Sequence, residues 1–231
     1  QQARLARWAG SVRWHEALAE ALAEARGAAL IFSNEFADAF PCARWVFDPE
    51  AGWREVWVAW DEASGQVEER AREVVCAARR QATSVGAMGA GPGQQAEVFE
   101  SYRRWLGEGL AGWERGRLLT IDYGDWLPAL YRRRPAGTLR AYCRQMRFAG
   151  AEVYARIGQQ DLTADVNFTD LERWGAELGL ATAAAGTQAE FLRRWLPPGR
   201  VREAGRDAQL AFLLDRDGAG GAFKFLEQTR G

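Results

Sequence analysis

Twice in this chain a helix-forming stretch gives way to a short apolar run that ends abruptly in polar and charged residues. Residues 15–26, HEALAEALAEAR, are strong helix formers with Leu18 and Leu22 one turn apart and Gly27 at the stop. The apolar run 28–32 follows, and then Ser33, Asn34, Glu35 and Asp38 before Pro41. Residues 96–113 set Val98, Phe99, Tyr102, Leu106 and Leu110 mostly three or four apart, the pattern of an amphipathic helix. The run 117–121 follows, and then Asp122, Tyr123, Gly124 and Asp125. This repeated order of helix and buried strand points to an α/β sheet, where ligands are met at the carboxyl ends of the strands. Both polar clusters therefore stand where a site is expected.

Between the two repeats the character changes. RWVF, a DPEAG turn and WREVWVAW across 44–60 give a β-hairpin. The stretch 61–95 is polar and then glycine-rich, with weaker strand character near 72–78. Further on, 168–178 reads as a helix entered through Asn167 or Thr169, 187–196 as another stopped by Pro197 and Pro198, and GAFKFLEQTRG as a last strand. Most of the eleven tryptophans are assigned to core.

Composition narrows the function. A formal charge of −1 over 231 residues gives no global field for nucleic acid or membrane, and the run Arg132, Arg133, Arg134 reads as a solvated face. The three cysteines form no CxxC pair and His15 is the only histidine, so neither a zinc site nor a disulfide framework is indicated, and a reducing, cytoplasmic setting is expected. His15 has no GxSxG nucleophile to serve and reads as a helix-entry residue. The glycines at 89, 91 and 93 read as plain loop, since TSVGAM is a poor strand and Pro92 removes an N–H that a phosphate loop would use.

Asn34, Glu35 and Asp38 admit two readings. One of them could cap a following helix, since Asn and Asp satisfy free N–H groups and acids suit its positive end. Three such groups in five residues, with Asp122 beside them, could equally form a pocket of negative potential for a cationic ligand.

SNEFADAFP at 33–41, LLTIDYG at 118–124, GTLRAY at 137–142, DLTADVNF at 161–168, GTQAEFL at 186–192 and GAFKFLEQTRG at 221–231 together resemble, in order and spacing, the MidA-like family of S-adenosylmethionine-dependent methyltransferases. Its members include the mitochondrial complex I assembly factor, a protein arginine methyltransferase. The resemblance implies a Rossmann-like class I methyltransferase sheet, S-adenosylmethionine as cofactor and methylation of a protein arginine. The rival readings are a small-molecule acceptor and a non-catalytic interaction module. The family's glycine-rich loop and the acid after its second strand are not found here, so the chain is expected to be the C-terminal portion of a longer enzyme. Its residues would divide into 1–43, the rest of an N-terminally incomplete sheet; 44–95, an acceptor-side insertion carrying the hairpin; and 96–231, the C-terminal half.

By that resemblance Glu35 and Asp38 orient the acceptor and help take its proton, while Trp14, His15 and Asn34 lie on the cofactor side. Asp122 and Tyr123 border the acceptor pocket and Asp161 with Thr163 builds its wall. The chain departs from the family at Asp165 and near Gln145, where histidines are usual, and at Asn167, where an aspartate is usual.

Overall fold

A computed structural model of the chain describes residues 2–203 and 207–231. Twelve strands are found among these residues, in three sheets. The first apolar run becomes β1 (Ala28–Asn34), and the hairpin becomes β2 (Ala43–Asp48) and β3 (Gly52–Asp61), joined through the expected turn. Then come β4 (Gln66–Val74), β5 (Gln95–Val98), β6 (Arg115–Asp125), β7 (Arg140–Cys143), β8 (Met146–Phe148), β9 (Asp161–Thr163), β10 (Val166–Asn167), β11 (Ala181–Thr187) and β12 (Phe223–Arg230).

The main sheet runs β1-β6-β12-β11. β1 and β6 are parallel, so their carboxyl ends lie side by side, with Asn34 opposite Ile121. β12 is antiparallel to both β6 and β11. β10 joins the far end of β6 at Gly124 and Asp125. A Cβ on Gly124 would stand 2.0 Å from the Val166 carbonyl oxygen, so glycine there permits the approach. The second sheet, β4-β3-β2-β5, extends to Val98, and the third is β8-β7-β9.

Helices Leu18–Glu24, Glu100–Gly109 and Phe168–Glu177 bury one face of the main sheet through Leu22, Tyr102, Leu106, Phe168, Leu171 and Trp174, packed with Leu118 and Leu226 of the strands. On the other face Phe191, from helix Gln188–Trp195, packs 5.1 Å from Phe225 between ring centroids. That face is open over β1, where Leu30 is 71% and Phe32 59% exposed. β1 pairs with β6 alone among the described strands.

The later helices sit where the sequence places them. Asn167 caps the first, accepting from the Thr169 N–H, and Thr187 with Glu190 forms a capping box on the second. Three expectations are corrected. The helix read over 96–113 starts only at Glu100, because Ala96, Glu97 and Val98 pair with β2 instead; the ladder satisfies their backbone groups and overrides helix propensity. The helix read over 15–26 spans Leu18–Glu24, leaving His15 ahead of it. The weaker strand expected near 72–78 is found at 72–74, the end of β4, whereas Ala77 and Ala78 open the helix Ala77–Gln81. Gln2–Leu5 is helical, while Gln1 lies outside the described residues. Six tryptophans pack in or against the two cores, whereas Trp8, Trp14, Trp57, Trp60 and Trp195 are exposed.

Glu97 is the unexpected member of the second core: a carboxylate that is 0% exposed. The Thr138 N–H and hydroxyl, the Leu139 N–H and the Tyr131 hydroxyl all donate to it, at 2.9–3.2 Å. A Cβ on Gly137 would lie 2.3 Å from its Oε1, so this grip requires glycine. Thr138 in turn accepts from the Asp165 N–H at 2.9 Å, which ties the second sheet to the segment after β9. Glu97→Gln would turn an NH2 group toward these donors, and a loss of about 1–2 kcal/mol is expected by urea unfolding.

Candidate active site

The chain breaks sharply at the end of β1. Glu35 has φ 49°, a left-handed conformation uncommon outside glycine, and its N–H donates to the Ile121 carbonyl at 3.0 Å. The turn that follows points three backbone N–H groups at one side chain. Phe36, Ala37 and Asp38 donate to Asp122 Oδ2 at 3.2, 3.0 and 3.3 Å, while the Tyr123 N–H donates to Oδ1 at 2.9 Å. Asp122 is fully buried, and burial together with the nearby charge of Asp38 pushes its pKa up to about 7 against those donors. It is not exposed to border a pocket, as the sequence suggested; it is the bolt that fixes the 36–38 turn to β6.

That bolt sets the position of Asp38. Its Oδ2 accepts from the Tyr123 hydroxyl and, at 3.1 Å, from the Thr163 hydroxyl, and those two hydroxyls also bond each other. Burial and the Asp38 carboxylate hold the Tyr123 phenol above its ordinary pKa, so it remains a donor. Asp38 Oδ1 is buried and has no partner. One carboxylate oxygen is thus anchored from β6 and β9 and the other is left free.

Asp38 lines a groove of 570 Å³ between the turn, β3 and β9. Trp57, Val58, Leu139 and Leu162 supply apolar wall and Tyr154 a phenol. Arg44 also lines it, but its guanidinium is engaged by Glu69, Gln95 and, at 2.7 Å, Tyr154. Behind Tyr123, the Arg140 guanidinium stands 4.8 Å from the ring centroid and 2.5 Å from Asp165, which also holds Arg134. Arg132, Arg133 and Arg134 are all exposed, in line with a solvated face, and Arg134 also pairs with Asp165 there.

The structure brings Asp38, Tyr123, Thr163 and, behind them, Asp122 together. Asn34 and Glu35 form a separate exposed pair, the Asn34 amide donating to Glu35 Oε1 at 3.3 Å. Trp14 is exposed, and His15 Nε2 pairs with Glu24 at 3.0 Å; neither bonds to Asn34 among the described residues. Asp161 is exposed on β9 opposite Tyr142 and does not line the Asp38 groove. Sequence reasoning missed Trp57, Tyr154 and Arg140. Trp57 carried a signal, since it lies on the aromatic hairpin; Tyr154 ends a short 3-10 helix, Gly150–Tyr154, that no periodicity marks. His15 and the three cysteines assemble no metal centre with acids among the described residues. No described helix is long and apolar enough to cross a membrane.

A parallel pair flanked by an antiparallel final strand, with polar groups gathered at the carboxyl ends, defines a Rossmann-like class I methyltransferase sheet. Residues 1–185 match the model of the family described as "Putative S-adenosyl-L-methionine-dependent methyltransferase", and the chain belongs to that family. It is similar to two solved structures from Burkholderia thailandensis: a COG1565 superfamily member bound to S-adenosyl-homocysteine, and the native form of an uncharacterized COG1565 superfamily protein. Each is 26% identical with a TM-score of 0.77. The matches cover 99% of this chain but 59% and 61% of those proteins, so the chain spans about three fifths of their length. No curated protein matches the chain.

Proposed function

We propose that the protein transfers a methyl group from S-adenosylmethionine to an arginine side chain of a protein substrate. The observation that carries this reading is Asp38 Oδ1, a buried carboxylate oxygen without a partner at the wall of a groove. An unsatisfied buried acceptor costs about 1–3 kcal/mol, so the site favours a ligand that brings donors. A guanidinium brings five in a planar fork, and apolar wall such as Trp57 and Leu162 suits the methylene stem beneath it.

The cofactor supplies an electrophilic sulfonium methyl. Asn34 and Glu35 fit its side of the site, because they present an amide and a carboxylate at the exposed end of β1. Glu35 is assigned to the cofactor side rather than to the acceptor because it pairs with Asn34 and does not line the Asp38 groove. The acceptor nitrogen gains the methyl carbon, the methyl–sulfur bond breaks, and one N–H proton leaves the nitrogen for Asp38 and then solvent. Alignment by a fixed carboxylate is the chief requirement of such a displacement. Asp38 meets it because Tyr123 and Thr163 hold its other oxygen.

The test is label transfer from S-[methyl-3H]adenosylmethionine by the whole protein to a peptide with one arginine, to the same peptide with lysine instead, and to free arginine. Label on the arginine peptide at least tenfold above the other two is expected. Equal label on free arginine would favour a small-molecule acceptor.

A further inference from the structure

Three grooves follow one another around the sheet β8-β7-β9. The Asp38 groove shares Arg44, Leu139 and Tyr154 with a second, of 500 Å³. The second shares Arg147 with a third, of 460 Å³, which Tyr123 also lines. The three grooves are thus neighbours in series, a track with Asp38 on the wall of the first, Arg147 between the second and third, and Tyr123 on the wall of the third.

The charge along this track changes sign. The third groove is lined by Arg134, Arg140, Arg147, Arg216 and Lys224 against Asp125, Asp165 and Asp217. Asp165 is engaged by both Arg134 and Arg140, and Asp125 lies 3.7 Å from the Lys224 ammonium. Arg216 is within electrostatic reach of Glu190. Arg147 is exposed on β8 and, among the described residues, has neither a hydrogen bond nor an ion pair. The cation at the junction of two grooves is thus the one left uncommitted.

We infer that Arg147, backed by Arg216 and Lys224, is a docking subsite for a carboxylate side chain of the substrate polypeptide, a few residues along from the arginine that meets Asp38. The inference rests on reading the Asp38 groove as the acceptor site. A track of three joined grooves is longer than a single side chain needs, and an extended peptide advances about 3.3 Å per residue along such a path. A substrate segment bearing only arginines would be repelled at the third groove, whereas an acid finds a guanidinium fork that suits carboxylates. The arrangement selects arginines that have acidic neighbours.

The test uses fluorescein-labelled peptides with one arginine and glutamates three to five positions away on both sides, read by anisotropy at low salt. Replacing the glutamates by glutamine is expected to weaken binding about tenfold in wild type. In Arg147→Gln, whose melting temperature should be unchanged because the side chain is exposed, both peptides are expected to bind as the glutamine peptide does. Equal binding of the two peptides to wild type, a glutamate preference that survives in Arg147→Gln, or no binding of either at millimolar concentration would each overturn the inference. Replacing the arginine by citrulline separates the two readings: if the glutamate preference persists while citrulline binds as well as arginine, the acceptor reading of Asp38 fails and the acid subsite stands.

Discussion

Asp122→Ala is expected to cost about 3–5 kcal/mol, since several buried N–H donors lose their acceptor at about 1–3 kcal/mol for each one left unsatisfied. It strands four N–H donors at the point where the 36–38 turn meets β6. At roughly 2–4 °C per kcal/mol for a chain of this size, the melting temperature should fall by about 10 °C. Calorimetry would show it, and a drop of only a degree or two would mean that the turn holds without its bolt. The same residue carries a pH signature. Its folded pKa, about 7, lies above its ordinary value of 3.8, so the folded state holds the proton more tightly. This group's contribution is therefore fully present below about pH 4 and is lost as pH rises through 7. Carboxyls held low, such as Glu55 under Arg79, work in the opposite direction. The stability of the wild type relative to Asp122→Asn should accordingly fall from pH 4 to pH 8; a flat difference would contradict the raised pKa.

Asp38→Asn is expected to lower methyl transfer to an arginine peptide by about 10²-fold or more in the whole protein, the usual scale for a lost acid–base group. With its oxygen kept at the anchored position the amide would turn its NH2 toward the guanidinium donors, and it cannot take the proton. Tyr123 and Thr163 would still find an acceptor at the anchored position, so the fold and the affinity for S-adenosylmethionine should be unchanged. Glu35→Gln should show the reverse split, with weaker cofactor binding and a turnover within a few fold of wild type. A wild-type rate for Asp38→Asn would remove the acceptor assignment, and equal losses in both variants would return Glu35 to the acceptor side.

Much of the frame was legible because local rules agree with one another. The apolar runs at 28–32 and 117–121, the hairpin turn, the Asn167 cap and the Thr187 capping box each specify their element within a few residues. Position at strand ends then drew attention to Asn34, Glu35, Asp38 and Asp122 before any contact was known. Local rules failed at 96–98, where a helical period competes with the chance to pair with β2. Pairing won because it satisfies backbone groups across the second sheet, and that partner lies about fifty residues earlier in the chain. The same failure hid Glu97, since a lone glutamate in an amphipathic pattern reads as solvent-facing until Thr138 and Leu139 are seen to close over it.

What the amino-acid sequence determined by itself was the order of elements, the class of sheet and the two strand ends at which polarity gathers, because these follow from periodicity, caps and turns within windows of ten to twenty residues. Only the tertiary structure decided which acid is a bolt and which is free. Asp122 and Asp38 are the same residue type, one near the carboxyl end of β6 and the other in the turn after β1. The difference is that four backbone donors converge on one, while two hydroxyls from β6 and β9 hold a single oxygen of the other and leave the second buried without a partner. That distinction depends on groups 85 to 125 residues apart meeting within 3.5 Å, which no local pattern encodes.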